Sequence, residues 1–176
     1  MDKALDARGL AVVRYADDSN VYVSSMRAGE RVMASLTRFI EGRLRLKVNV
    51  TKSAVAIPQE RKFLGFTLTG GKQPNRRKLA AVSLRRFRAK VRALTRRNWG
   101  IGMGERIQRL AMYLRGWKGY FGFCETLSVL RDLDSWIRRR LRNIHWKQWK
   151  TYRRRKSELS ARGVAAELAH LTAWSA

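Results

Sequence analysis

A chain of 176 residues suits one ordinary domain or two small ones, and a 45% hydrophobic content supplies a packed core, which excludes a disordered basic tail. Its 39 Lys/Arg against 13 Asp/Glu leave a formal net charge of +26. A compact body so charged repels itself unless a polyanion neutralises it, so nucleic acid is the leading partner and an anionic membrane surface the lesser one.

Apolar runs of only a few residues rule out a membrane-spanning helix. Asp2, Lys3 and Asp6 near the start do not form a secretory leader. Cys124 is the only cysteine, so there is no internal disulfide and no cysteine cluster for zinc, and a reducing compartment such as the cytoplasm fits. His145 and His170 stand outside any metal-binding spacing and read as surface or interface residues. The charge is uneven: residues 1–75 hold 13 Lys/Arg and 7 Asp/Glu, whereas residues 76–176 hold 26 and 6. The second part is therefore the main polyanion-binding one.

In chain order, Met1 to Arg8 reads as the end of a short helix stopped by Gly9. "LAVVRY" and "NVYV" read as two strands with "ADDS" as their turn. Val32, Met33, Leu36, Phe39 and Ile40 mark an amphipathic helix from Arg27 to Gly42, with Gly42 as its stop. "RLRLKVNV" alternates strictly and predicts a half-buried strand; "KFLGFTL" is another strand candidate, ended by Gly70 and Gly71.

The pattern changes after "TGGKQPN", which places a boundary near 70–76. Three apolar stripes follow at helical spacing: Leu84, Phe87, Val91 and Leu94; Ile107, Leu110, Leu114, Trp117 and Phe121; Leu130, Leu133, Ile137, Leu141 and Ile144. Three such stripes can close a small bundle. The tail from Ser157 carries a weak helical pattern with Gly163 inside it. The fold class is α+β: a hairpin, a helix and further strands, then an all-α three-helix bundle.

Asp17 and Asp18 lie at the tip of the expected hairpin. Most adjacent aspartates are solvated turn residues, but paired carboxylates on a rigid tip are also what a Mg²⁺ site for phosphoryl chemistry uses. In the second part, Arg85, Arg86, Arg88, Lys90, Arg92, Arg96 and Arg97 form one basic stretch. Arg138, Arg139, Arg140, Arg142, Lys147 and Lys150 form another, interleaved with Trp146, Trp149 and Tyr152. Cations neutralise phosphates and release counterions, while rings can stack on unpaired bases. Spacing alone leaves open whether Trp146 and Trp149 face RNA or the core; Trp117 and Trp136 read as core.

"YADD" within "VRYADDSNVYV" resembles the palm motif of reverse transcriptases, above all the group II intron-encoded type. "GRLRLKVNVTKSAV" resembles the next block of that family, with Asn49, Lys52 and Ser53 in its N-x-x-K-S element. "RKFLGFTL" resembles the block after it, and "YLRGWKGYF" with "WIRRRLRNIHWKQWK" resemble the maturase-specific X or thumb region. The four matches occur in family order.

The resemblance implies a partial palm over 1–75 and a helical X/thumb domain over 76–176. It implies that Asp17 and Asp18 bind catalytic Mg²⁺ in a two-metal site. It implies that Tyr15 and Ala16 lie near the incoming nucleotide and primer end, that Lys52 lies near the departing pyrophosphate, and that Phe63, Leu64 and Gly65 support the primer. Without the family, Lys52 is equally a solvated surface lysine. The implied partners are intron RNA, an RNA template with its DNA primer, and dNTPs. The family's third metal-binding carboxylate comes from an earlier strand, which the sixteen residues before Asp17 do not match. The expectation is therefore the C-terminal portion of a reverse transcriptase/maturase, inactive as a polymerase alone and able to complement an N-terminal fragment. The alternatives are a maturase-like RNA-binding module with a vestigial YADD motif and a non-specific basic protein.

Overall fold

A computed structural model of the chain describes residues 5–174. The chain divides into two units, Met1–Ala80 and Ala81–Ala176. The described residues are mixed α and β, mostly helical, which agrees with the α+β class in coarse form.

In the first unit, Leu5 and Asp6 end a helical turn and Gly9 turns out of it at φ +65°; Asp2 lies outside the described residues. Strands β1 (Ala11–Tyr15) and β2 (Asp18–Tyr22) pair antiparallel, with Tyr15 opposite Asp18. The loop is thus two residues long, Ala16 and Asp17, two residues shorter than the "ADDS" turn implied. Ala16 takes φ +53°, a left-handed backbone that disfavours a Cβ, and Arg14 Nη1 holds its carbonyl at 3.2 Å.

Helix α1 (Met26–Gly42) starts at Ser25, whose side chain accepts from the Ala28 amide at 3.2 Å. Val32 and Gly29 are buried. A Cβ on Gly29 would stand 2.5 Å from Val55 Cγ1, so only glycine lets the helix approach this segment. The helix ends at Gly42 as expected; beyond it Arg45 takes the left-handed backbone (φ +53°), and the Leu46 amide bonds back to the Ile40 carbonyl at 3.1 Å.

The expected strand "RLRLKVNV" does not form. Residues 45–49 have no regular structure, and Leu44, Leu46 and Val50 are exposed. Alternation marks which side chains would share a face, but a strand also needs a partner, and none of the described residues supplies one. "KFLGFTL" is likewise not one strand. Leu64 (φ +50°) and Gly65 (φ +81°) form a tight turn, closed by paired Phe63–Phe66 backbone bonds of 2.9 Å. Two successive positive φ values are the mark of a hairpin turn rather than a strand.

A 3-10 turn at Pro58–Glu60 precedes this hairpin, and β3 (Phe66–Leu68) then pairs antiparallel with β4 (Arg77–Leu79). "TGGKQPN", expected at the boundary, is the loop of that second hairpin: the Thr69 amide bonds the Arg76 carbonyl and the Asn75 amide bonds the Thr69 carbonyl, both at 2.9 Å.

Among the described residues the second unit carries five helices, the three expected from the stripes and two in the tail: α2 (Ala81–Leu94), α3 (Met103–Phe121), α4 (Leu127–Gln148), α5 (Tyr152–Ala161) and α6 (Ala166–Trp174). The three predicted stripes supply much of its core: Phe87, Val91, Leu110, Leu133, Ile137 and Ile144 are buried, whereas Ile107 is not. Aromatic rings join α2 to α3: Phe87 stands 4.3 Å from Trp117, centroid to centroid, and Trp117 stands 4.9 Å from Phe121. The tail divides because Gly163, at φ +80°, ends α5 and lets α6 fold back with Ala169 and Ala173 buried.

Candidate nucleic-acid interface

On α2 the apolar stripe fixes one face inward and leaves the arginines outside. Arg85, Arg86, Arg88, Arg92, Arg96 and Arg97 are all exposed. Arg85, Arg88 and Arg92 recur at steps of three and four, so they share one helix face. On α4, Arg138, Arg139 and Arg142 are exposed, as are Lys147 and Lys150 at and beyond its end. Arg138 pairs with Asp134 at 2.9 Å, a solvent-exposed pair one helical turn apart that a phosphate can displace.

Trp136 brings the two basic stretches together. The guanidinium of Arg92 lies 5.8 Å from its ring centre and that of Arg140 lies 5.4 Å away. Burial lowers the pKa of Arg140, and the neighbouring charges of Arg92 and Arg97 lower it further. Cations crowded at one junction are what an approaching polyanion relieves.

Two residues expected to touch RNA have other work. Trp149 is 5% exposed, so its faces are not open to a base. His145 stacks on it at 4.5 Å and Arg162 lies 4.7 Å from its ring centre. Arg140 turns inward: its Nε donates to Thr95 Oγ1 at 2.6 Å, and Nη2 donates to the carbonyls of Thr95 and Arg92 at 3.3 and 3.5 Å. Those carbonyls end α2, where the helix dipole favours a cation. Trp146 is half-buried between Arg142 (6.0 Å) and Arg155 (5.4 Å). Arg106, which composition alone did not single out, is 2% exposed and donates to the carbonyls of Arg96 and Trp99. A buried arginine leaves no distinct signal in a sequence so rich in arginine.

His145 offers a titration in this region. Its Nδ1 is buried without a hydrogen-bond partner, and its pKa is lowered, first by burial and then by Arg162, while Glu158 opposes. The unfolded chain therefore takes up the proton first. Stability is full above the ordinary histidine value of about 6.5 and declines as pH falls below it toward the folded value. His145→Phe keeps the ring and is expected to remove that decline in pH-dependent thermal melts. Glu158 acts in a separate, more acidic window, because its hydrogen bond from Arg162 lowers its pKa.

In the first unit, Tyr15, Ala16, Asp17 and Asp18 are exposed at the hairpin tip. Among the described residues no group of three or more His, Cys, Asp or Glu could hold a metal ion. Asp17 and Asp18 alone fall short of the three-carboxylate Mg²⁺ site that the resemblance implies. Lys52 sits on a turn built by Asn49, whose Oδ1 accepts from the Lys52 amide at 3.1 Å and the Thr51 hydroxyl at 2.7 Å. Arg61 ties this turn to the next hairpin: its Nη2 donates to the Lys52 carbonyl at 2.8 Å, and its own carbonyl accepts from Thr67 Oγ1 at 2.9 Å. Phe63, Leu64 and Gly65 are half-buried at that hairpin's turn. Asn49, Arg61 and Thr67 thus hold together the lysine and the turn that the sequence named separately.

Among the described residues no helix is long and apolar enough to cross a membrane. No curated protein matched the chain. Residues 84–163, from the first turn of α2 to the end of α5, match the family model described as "Group II intron, maturase-specific domain". This stretch holds both basic helices and the tryptophans between them. The matched stretch lies within the second unit and supports a group II intron maturase C-terminal region there.

Proposed function

We propose that this chain is an RNA-binding maturase module, in which α2 and α4 grip group II intron RNA and the first unit is the end of a reverse-transcriptase palm that does not extend primers by itself. The observation that carries the reading is the row of exposed arginines on α2, inside the matched domain, with Arg92 of that row over Trp136 of α4. Phosphates neutralised by these side chains release counterions, which supplies affinity without base contacts. Exposed lysines and arginines on structured helices suit folded RNA, whose loops and grooves present phosphates in fixed positions.

The palm reading rests on the ordered motifs around Asp17, Asp18, Lys52 and the Phe63–Gly65 turn. In a polymerase assembled with an N-terminal fragment, Lys52 would supply the cation beside the departing pyrophosphate.

Equilibrium binding to a group II intron RNA tests the proposal. Asp17→Ala with Asp18→Ala is expected to leave the affinity unchanged, and primer extension by the chain with Mg²⁺ to stay at background. Primer extension that needs Asp17 would overturn the binding-module reading in favour of a self-sufficient polymerase.

A further inference from the structure

The loop from 95 to 102, between α2 and α3, is held from below by two guanidiniums. Thr95 is 1% exposed and donates its hydroxyl to the Val91 carbonyl at 2.6 Å. The same oxygen accepts from Arg140 Nε at 2.6 Å, and Arg140 Nη2 reaches the Thr95 carbonyl at 3.3 Å. Further along, Arg106 donates Nη1 to the Arg96 carbonyl at 2.6 Å and Nη2 to the Trp99 carbonyl at 3.1 Å. Neither guanidinium has a carboxylate partner among the described residues. A planar fork with fixed donors suits two acceptors on one stretch of backbone, which an ammonium does not match.

This backbone carries Arg96 and Arg97, whose side chains are exposed while their main chain is pinned. Pinning removes in advance the loop-ordering cost that binding would otherwise meet. We infer that Thr95 and Arg140 are positioning residues for polyanion binding: their hydrogen bond sets the backbone that presents Arg96 and Arg97 to RNA phosphates. The inference rests on the RNA-binding reading above.

Thr95→Val is the decisive substitution, since it keeps shape and charge and removes only the hydroxyl. Binding is read by fluorescence anisotropy of a labelled RNA stem-loop with the full chain. Thr95→Val is expected to weaken binding about five-fold, and to add nothing once Arg96→Ala/Arg97→Ala has removed what it positions. Thr95→Ser, which restores the hydroxyl, is expected to bind as the parent does. Should Thr95→Val fail to fold by circular dichroism, Arg140→Lys, which keeps the charge and loses the fork, is expected to give the same non-additive pattern.

Unchanged binding by the positioning variant, an equal loss in both backgrounds, or full affinity in Arg96→Ala/Arg97→Ala overturns this role alone. A parent chain with no salt-dependent binding refutes the RNA-binding reading and this role with it.

Discussion

Replacing Arg85, Arg86 and Arg88 with alanine together is expected to weaken RNA binding about 100-fold near physiological salt and to reduce the salt slope by about 2–3, one phosphate contact for each side chain. All three are exposed on α2, whose inward face is Phe87 and Val91. Alanine is the better helix former at such positions, so the melting temperature is expected to hold or rise. Loss of affinity with the melt unchanged separates a binding surface from a stabilising one. Affinity and slope equal to those of the parent would move the interface off α2.

Trp149→Ala is expected to act in the opposite way, through the fold. The ring is buried at the end of α4, against His145 and beneath Arg162, and its carbonyl accepts from Arg155 Nε at 3.0 Å. Truncating a buried aromatic of this size costs about 3–5 kcal/mol, a large share of the stability of a small domain. Thermal melting should show a large loss, with RNA binding failing at the temperature where the helices fail. Trp146→Ala, at a half-buried ring, is expected to cost less. A Trp149→Ala variant that melts as the parent does but has lost RNA affinity would return Trp149 to the interface.

The helices of the second unit were legible because period and burial agree: Phe87, Val91, Leu133, Ile137 and Ile144 fall on the predicted stripes and are buried. The first unit is less legible. Leu44, Leu46, Val48 and Val50 carry a strand's alternation, but pairing is a property of two segments and only one is legible in a run of eight residues. At "FLGF" the apolar run hid a turn, though Gly65 was the visible signal for it. In the basic stretches the sequence located the cations but not their directions. Arg138 and Arg139 point to solvent, while Arg140, the next residue, closes the end of α2 across the fold. Only the angle around α4 separates them, and an unbroken arginine run conceals that angle. The aspartate tip was placed on a hairpin correctly, and its exposure leaves its chemistry with the resemblance alone.

On the proposed function, this basic surface recognises folded intron RNA rather than any polyanion. Competition binding at one salt concentration, with a group II intron RNA against an unrelated RNA duplex of equal length, measures it directly. Phosphate contacts alone give both RNAs the same affinity, whereas contacts placed by a fixed surface add discrimination. Binding to the intron RNA is expected to be at least about ten-fold tighter than to the duplex, with the preference surviving as salt is raised. Equal affinity for the two at matched salt would contradict it and leave a non-specific basic protein.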